Sequence, residues 1–332
     1  MLAWLQSAGS HHDIGLALGR WGAEACRTHL LGSPAWAEIQ QWRGSPQAAA
    51  MRANVDLFFP WIRDELEGLA EGLGLSFDEV FLWNCRGDLW ALAPDGCTTV
   101  LAPGRLAHNE DGHPGFAGRC GLAELRPSGA PAFVSFVYPG SIPGHAFAVS
   151  DTGLAMTVNN IRARRSTTGV PRMVLTRAIL AVRDPDQAVA LLRAYPRAGA
   201  FHLGIGMAGA GATHSVEFSA ADVSSEQVGQ RRLHANHAIH AAQATLPQII
   251  TASSRHRQER GEWLLARGAG ALDILADQGD AAEPIYRDSV EDTDDENTMA
   301  TIDIDLSGPL ASWTVYGPPG RAQYRGEGIR RV

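Results

Sequence analysis

The residues with the clearest capacity for chemistry are Gly96 and Cys97, within Pro94-Asp95-Gly96-Cys97-Thr98-Thr99-Val100. A thiol after glycine can attack the preceding carbonyl, because glycine leaves that carbonyl uncovered and permits the angles of a strained turn. Hydrolysis of the resulting thioester would free Cys97, whose new α-amine, with an ordinary pKa of about 7.7–8.0, could accept the thiol proton. One residue would then be both nucleophile and base. Asp-Gly is also an ordinary turn dipeptide, so the tripeptide alone leaves a purely structural role open.

The composition is that of an ordinary globular protein. The 332 residues are 45% hydrophobic and 19% charged, which allows a full core in one large domain or two. A formal net charge of −8 without a basic run argues against nucleic acid and membrane surfaces as partners. Met1 to Leu31 carries charged residues where a signal peptide needs an apolar centre, so we expect a cytoplasmic protein.

Several kinds of chemistry are excluded by residue type. All 28 basic residues are arginine, which excludes a Schiff-base lysine, a phosphate-loop lysine and a serine–lysine dyad. No Cys-x-x-Cys spacing indicates a zinc knuckle or a redox dithiol. His234, His237 and His240 are spaced by three, as a metal site on a helix would require, but no carboxylate or cysteine completes the set. We therefore predict neither a metal nor a cofactor.

The hydrophobic period changes near residue 96. Residues 1–96 are predicted to be helical, with an amphipathic stretch from Ile14 and one long helix over Arg52 to Ala70. Beyond them, Thr98 to Ala102 and Arg105 to Asn109 form a predicted hairpin. Further predicted strands are Ala132 to Tyr138, His145 to Ser150, Leu154 to Val158, His202 to Met207, Thr213 to Phe218, Arg231 to His234, Met299 to Leu306 and Ala311 to Tyr316. Further predicted helices are Pro171 to Arg183, Asp186 to Tyr195, Arg255 to Arg267 and Ala269 to Gln278. This order indicates two packed sheets with helices outside.

An ordered series of short motifs resembles a known family. The motifs are Gly9-Ser10, Asp13-Ile14-Gly15, Gly19, Asp95-Gly96-Cys97-Thr98-Thr99, His108-Asn109-Glu110-Asp111-Gly112, Gly140-Ser141-Ile142-Pro143-Gly144, Gly153 to Asn160, His234-Ala235-Asn236-His237 and Ser254-Arg255-His256. They resemble the acyl-coenzyme A:6-aminopenicillanate acyltransferase family of N-terminal-nucleophile cysteine hydrolases. The Ile-Pro-Gly and Asn-Glu-Asp forms are most similar to the branch that contains β-alanyl-dopamine and carcinine hydrolases, which act on amides of small amines.

The resemblance implies a fold and a processing step. The fold would be α+β, a four-layer αββα sandwich of two antiparallel sheets with a helical N-terminal segment. The chain would be made as an inactive precursor that cleaves itself between Gly96 and Cys97. Residues 1–96 would then form a short chain that stays associated with a catalytic chain of residues 97–332.

The resemblance also implies roles for individual residues. Cys97 would be the nucleophile, and Asp111 would hold its free α-amine by a carboxylate. Asn236 would donate to the oxyanion, Asn159 rather than the adjacent Asn160 would be a second active-site amide, and Arg255 would lie beside the nucleophile. A purely structural role is the alternative for three of them: Asp111 in a turn, Asn236 as a capping residue and Arg255 exposed to solvent.

The acidic run Glu291-Asp292-Thr293-Asp294-Asp295-Glu296 bears on the substrate, because the penicillin acyltransferases carry an arginine near this point. Asn109, Glu110, Asp295 and Glu296 are the predicted substrate-binding residues. If these carboxylates reach the pocket, charge complementarity favours a substrate with an ammonium group; the alternative is a solvated acidic loop.

The predicted function is hydrolysis of a small acyl or aminoacyl amide through a thioester on Cys97. Two alternatives stay open at this point: an acyltransferase that passes the acyl group to a small amine, and a non-catalytic binding protein on the same fold. Whether the protein forms a homo-oligomer is also left open.

Overall fold

The computed structural model describes residues 1–93, 96–280, 282–289, 291–292, 294–317 and 321–332. Pro94 and Asp95 of the predicted cleavage motif, and Thr293 of the acidic run, lie outside the described residues. Gly96 and Cys97 are consecutive residues of one strand.

Most helices precede the predicted cleavage bond. They are α1 (His11–Ala25), α2 (Pro34–Gln40), α3 (Pro46–Phe58), α4 (Pro60–Leu73), α5 (Phe77–Asn84), α6 (Arg86–Leu89), α7 (Arg172–Ile179), α8 (Pro185–Ala194), α9 (Ala252–Ala266) and α10 (Ala271–Leu275). A π-helical turn at Cys26–Leu30 extends α1, and single 3₁₀ turns occur at Pro114–Phe116 and Ala241–Gln243. No described helix is long and apolar enough to cross a bilayer.

Within the described residues the strands form two sheets. The strands are β1 (Ala3–Gly9), β2 (Gly96–Ala102), β3 (Arg105–Gly112), β4 (Gly121–Pro127), β5 (Phe133–Val137), β6 (Phe147–Ser150), β7 (Leu154–Asn160), β8 (Phe201–Met207), β9 (Thr213–Phe218), β10 (Val223–Gln227), β11 (Arg232–His234), β12 (Asn297–Asp305), β13 (Ser312–Tyr316), β14 (Ala322–Glu327) and β15 (Arg330–Arg331). The first sheet has the order β1-β4-β5-β6-β7-β8-β9-β10, and the second has the order β11-β2-β3-β12-β13-β14-β15.

The layers confirm the predicted αββα sandwich. Strands β2 and β3 of the second sheet pack on β7 and β8 of the first sheet. Helix α8 covers β8, β9 and β10, whereas α9 and α10 cover β11, β2 and β3. Pairing is antiparallel as predicted except at one edge, where β1 runs parallel to β4.

The N-terminal segment is more than a helical appendage. Strand β1, which lies in the region predicted to be helical, extends the first sheet, and helix α1 packs on β1 and β4. Residues of this segment, including Ile14, Leu66 and Phe81, share one continuous hydrophobic core with the strands that follow Cys97. Residues 1–93 therefore supply part of the core of the sandwich.

The single helix predicted over Arg52 to Ala70 is wrong. Two helices, α3 and α4, meet at Phe59, whose φ of −137° and ψ of 54° are not helical. Pro60 is the physical reason, because proline lacks an N–H donor and its ring excludes the helical conformation from the residue before it. The proline then occupies the first turn of α4, where it is well tolerated.

Candidate active site

The hairpin of β2 and β3 positions Cys97. Cys97 pairs with Glu110, and Thr99 pairs with His108. Because directly opposed residues of an antiparallel pair share a face, these four side chains lie together. The Thr99 hydroxyl donates to Asn159 on β7, which places this face in the space between the two sheets. Cys97 is accordingly buried, with 3% of its surface exposed.

The backbone of Cys97 is held by two polar side chains. Its N–H donates to Oδ1 of Asn236 at 3.0 Å, and Arg257 donates to its carbonyl oxygen at 2.6 Å. The same guanidinium also donates to Asn236 Oδ1 at 2.7 Å and to the Thr98 hydroxyl at 2.8 Å. Nδ2 of Asn236 donates to the carbonyl of Asn160 at 3.2 Å. Asn236 therefore lies at the nitrogen of the predicted nucleophile.

Arg255 does not lie beside the nucleophile, and that prediction is wrong. It is exposed on α9, whereas Arg257, two residues later, is 1% exposed and bonded to Cys97. Two residues turn about 200° around an α-helix, so the side chains of 255 and 257 leave opposite faces. Arg257 was missed because the motif was aligned on the wrong arginine of Ser254-Arg255-His256-Arg257.

Glu110, which was predicted only to bind substrate, lies next to the Cys97 thiol. Its Oε2 is 3.8 Å from Sγ of Cys97 and 3.2 Å from Nε2 of His108. The three side-chain atoms of Cys97, His108 and Glu110 lie within 4.8 Å of one another. His108 was named in the sequence only as part of a motif. Because alternate residues of a strand share a face, its position two residues before Glu110 on β3 could have indicated that both side chains face the thiol.

Asp111 and Glu296 occupy the other face of the hairpin. Asp111 pairs with Gly96, accepts from the Thr298 hydroxyl at 2.7 Å, and has one buried oxygen without a hydrogen-bond partner among the described residues. Glu296 accepts from Arg287 at 2.7 Å and faces Arg162 at 3.5 Å. Burial raises the pKa of Asp111, and burial also raises that of Glu296 to about 7 against the pull of the two arginines.

Gly96 is not in a strained turn, contrary to expectation. It is the first residue of β2, and its φ is not among the positive values of the described glycines. A Cβ at this position would lie 2.0 Å from Oε2 of Glu296 and 3.2 Å from Cβ of Asp111. A larger residue here would have to displace the Glu296 carboxylate from its contact with Arg287.

Three other predicted site residues lie elsewhere. Asn109 is fully buried towards α10, where it donates to the carbonyl of Leu275 at 2.7 Å, so its assignment to substrate binding is wrong. Asn159 faces the space between the sheets and Asn160 does not, but Asn159 contacts Thr99 rather than Cys97, so its role as a second active-site amide stays a prediction. Asp295 is largely exposed and 3.2 Å from the ring of His113.

The three histidines considered as a metal site do not converge. Nε2 of His234 bonds to Glu217 at 2.9 Å, Nδ1 of His237 bonds to the Ser254 hydroxyl at 2.8 Å, and Nε2 of His240 bonds to Ser215 at 2.9 Å. Each ring therefore belongs to a separate set of hydrogen bonds, and the spacing by three does not reflect a helix in this segment.

A cavity of about 300 Å³ opens near this hairpin. Its aromatic lining is Trp83, Trp90, Phe116 and Tyr138, its polar lining includes His29, Arg86, His113 and Ser141, and its acidic lining is Asp294 and Asp295. Tyr138 connects the cavity with the thiol, since its hydroxyl also interacts with Glu110. Trp83, Arg86 and Trp90 come from the segment before the predicted cleavage bond, to which the sequence assigned no role in binding.

Comparison with known proteins identifies the family of this chain. A family model described as acyl-coenzyme A:6-aminopenicillanic acid acyl-transferase matches residues 100–319. The chain is 27% identical over 219 residues to the Drosophila melanogaster β-alanyl-dopamine/carcinine hydrolase, a match that covers 57% of this chain and 56% of that protein. The chain thus spans about half the length of this curated relative. A crystal structure of a mutant conjugated bile acid hydrolase from Clostridium perfringens aligns with a TM-score of 0.45 and 9% identity, over 70% of this chain and 92% of that one.

Proposed function

Because the chain belongs to the acyl-coenzyme A:6-aminopenicillanic acid acyl-transferase family, and is therefore an enzyme, we propose that it is a self-processing cysteine amidase with Cys97 as its nucleophile. One observation carries the proposal: Asn236 and Arg257 converge on the nitrogen and the carbonyl oxygen of Cys97. A cysteine that only fills space needs no buried arginine on its backbone, because burying a guanidinium is costly unless it is fully bonded. Hydrogen bonds to the backbone of Cys97 are expected if the peptide bond at this residue is itself the bond that reacts.

Maturation proceeds in two steps. The Cys97 thiolate attacks the carbonyl carbon of Gly96, the C–N bond breaks, and the nitrogen takes up a proton, which leaves a thioester and a free α-amine. Water then hydrolyses the thioester, giving a carboxylate on Gly96 and a free thiol on Cys97. Asp111 and Glu296, which both lie against the position of a side chain at Gly96, would orient the new ammonium group by charge attraction.

Turnover reuses the same atoms. The α-amine of Cys97 accepts the thiol proton, sulfur attacks the substrate carbonyl, and the amine returns the proton to the leaving nitrogen. The amide of Asn236, beside the nucleophile, donates to the oxyanion, a contact that typically lowers the barrier by about 2.7–4 kcal/mol. Water then releases the acyl group.

The cavity suggests the class of substrate. Its aromatic walls suit an apolar or aromatic group, and Asp294 and Asp295 outnumber the single guanidinium of Arg86, which is stacked on Trp83. Trp83 and Ser141 each carry a buried polar atom without a hydrogen-bond partner among the described residues. We therefore propose a small amide that carries an ammonium group, in keeping with the amides named for the Drosophila relative.

Acyl transfer is the second candidate, because the family is named for it. Hydrolysis and transfer share the thioester and differ only in whether water or an amine captures it. Product analysis with rising concentrations of an amine acceptor distinguishes them: a hydrolase keeps releasing free acid, whereas a transferase forms the new amide.

We place the reaction in the cytoplasm because all four cysteines are free thiols.

Mass spectrometry and N-terminal sequencing of purified protein test the proposal. Wild-type chains should yield fragments of residues 1–96 and 97–332, whereas Cys97→Ala should stay intact, inactive and folded. Cys120→Ala is the matched control, since Cys120 is equally buried near Glu110 and should be dispensable. An active wild-type protein that remains one intact chain would refute self-processing, and fragments from Cys97→Ala would assign the cleavage elsewhere.

A further inference from the structure

The Cys97 thiol lies at one end of a buried hydrogen-bonded series between the sheets. Sγ of Cys97 is 3.8 Å from Oε2 of Glu110, which is 3.2 Å from Nε2 of His108. Nδ1 of His108 is 2.8 Å from the Thr99 hydroxyl, and that hydroxyl is 2.7 Å from Oδ1 of Asn159. The carboxyl of Glu110 is 6% exposed, and His108 and Thr99 are fully buried.

The direction of each hydrogen bond follows from Asn159. Its Nδ2 donates to the carbonyl of His234 at 3.1 Å, so its Oδ1 is the atom that faces Thr99 and His202. A flipped amide would set two oxygens against each other at His234. The Thr99 hydroxyl must therefore give its only proton to Asn159.

The state of His108 is fixed in turn. Since the Thr99 hydroxyl has no further proton to give, Nδ1 of His108 must donate to it. Burial lowers the pKa of His108 to about 3, and in a neutral ring with Nδ1 protonated Nε2 can only accept. The contact between Nε2 and Oε2 of Glu110 is a hydrogen bond only if it contains a proton. Glu110 and His108 therefore share one proton and have no net charge as a pair.

We propose that this pair is the base that activates Cys97 for self-cleavage, before the α-amine exists. The inference rests on the proposed function, in which the α-amine is the base of the mature enzyme. In the intact chain the nitrogen of Cys97 is a peptide amide that donates to Asn236 and cannot accept a proton. The nearest acceptor on the opposite strand is the Glu110 carboxyl. Glu110 and His108 therefore supply the base that the precursor lacks.

The proton transfer balances within this group. Glu110 takes the thiol proton as its own proton passes to Nε2 of His108. Burial, which lowers the pKa of this ring, opposes the transfer, and the negative charge formed at the same time on the adjacent Sγ offsets it. The thiolate then attacks the carbonyl carbon of Gly96. As the C–N bond breaks, the pair returns one proton to the leaving nitrogen and recovers its neutral state. Glu110 touches the reacting sulfur and is a catalytic residue of this step, whereas His108 acts through it and is a positioning residue. Tyr138 and Cys120 are the other titratable groups near Glu110.

The series also provides its own control. Beyond Asn159 the hydrogen bonds continue through His202, Ser215 and His240. Oδ1 of Asn159 accepts from both sides and has no proton to pass, so His202 is isolated from the thiol. His202 matches His108 in burial and in the number of its hydrogen bonds, yet it should not contribute to cleavage.

The test follows full-length chains made by pulse-labelled cell-free translation and resolves the two fragments on a gel over time. Glu110→Gln and His108→Gln should lower the first-order cleavage rate by at least about 100-fold, the lower range of general base catalysis. His202→Gln should cleave within about threefold of wild type, by the isolation argued above. Turnover by the matured fraction of Glu110→Gln, counted by active-site titration, should fall far less than its cleavage rate.

Hydroxylamine provides a readout that a merely structural role would not change, because it cleaves a thioester and leaves a peptide bond intact. Glu110→Gln and His108→Gln should remain slow in its presence, since their thioester does not form. Restoration of cleavage by hydroxylamine, or a wild-type rate in Glu110→Gln, would overturn the proposal. Should Glu110→Gln fail to fold by circular dichroism, Glu110→Asp and His108→Gln decide in its place. Wild-type chains that never cleave would instead refute the proposed function itself.

Discussion

The carboxylate of Glu296 occupies the space that a side chain at position 96 would need. Its Oε2 lies 2.0 Å from an ideal Cβ on Gly96, and Arg287 and Arg162 hold the carboxylate there. The glycine thus lets an acidic group approach the predicted cleavage bond. A strained conformation of Gly96 is not needed to explain why no larger residue stands there.

Gly96→Ala should therefore slow self-cleavage at least tenfold and lower the free energy of unfolding by about 1–3 kcal/mol, the usual cost of overpacking a buried site. The cleavage is measured on gels and the stability by urea unfolding in a Cys97→Ala background. Gly229→Ala is the matched control, because a Cβ at Gly229 would meet no atom within 4 Å. Equal behaviour of the two variants would show that the Glu296 carboxylate does not restrict position 96.

At the scale of elements, local patterns predicted some of the hairpins and missed others. The hairpin predicted over Thr98 to Ala102 and Arg105 to Asn109 is β2 and β3, with slightly longer strands. Strands β1, β4, β10, β14 and β15 were missed. For β1 and β4 the reason is that their parallel pairing joins residues far apart in sequence, which no local alternation indicates. The break between α3 and α4 could have been predicted from Pro60 alone.

The predictions for the site residues divide in the same way, into those that rest on local pattern and those that depend on packing. Motif order singled out Cys97, Asp111 and Asn236, whose catalytic roles stay predictions. Strand alternation indicated that only one of Asn159 and Asn160 faces inward, and Asn159 is the one that does. The remaining errors concern which face of an element points inward. Arg255 and Asn109 were assigned by motif position, and only the packing of α9 and α10 on the second sheet decides that Arg257 faces Cys97 and that Asn109 faces Leu275.

The face of α9 leads to a paired prediction. Arg257→Gln should abolish detectable cleavage or reduce it at least about 100-fold. It should also destabilise the chain by about 1–3 kcal/mol for each buried acceptor that loses its donor, such as the carbonyl oxygen of Cys97. Arg255→Gln, on the exposed face, should change stability by no more than about 0.5 kcal/mol and leave cleavage unaltered. Both are read by fragment analysis and by urea unfolding in a Cys97→Ala background. If Arg255→Gln proved the more damaging, α9 would have to present the opposite face.

At the scale of the whole molecule, the segments before and after the predicted cleavage bond are joined by more than that bond. Strand β1 pairs with β4, and the core is continuous across the cleavage site. One buried ion pair also spans it: Arg177 on α7 donates to both oxygens of Glu65 on α4, at 2.9 and 2.7 Å, with both side chains no more than 1% exposed. We therefore expect fragments 1–96 and 97–332 to stay associated after cleavage.

The Glu65–Arg177 pair makes this expectation measurable. Glu65→Gln leaves the Arg177 charge buried without its partner and should lower the free energy of unfolding of uncleaved Cys97→Ala protein by about 3–5 kcal/mol. In matured protein the same variant should release the short fragment at a lower urea concentration, followed by native mass spectrometry. Glu67→Gln removes the exposed partner of Arg63 on the same helix and should cost no more than about 1 kcal/mol. Equal losses for Glu65→Gln and Glu67→Gln would mean that the buried pair does not hold the two segments together, and the shared core with the β1–β4 edge would have to do so alone.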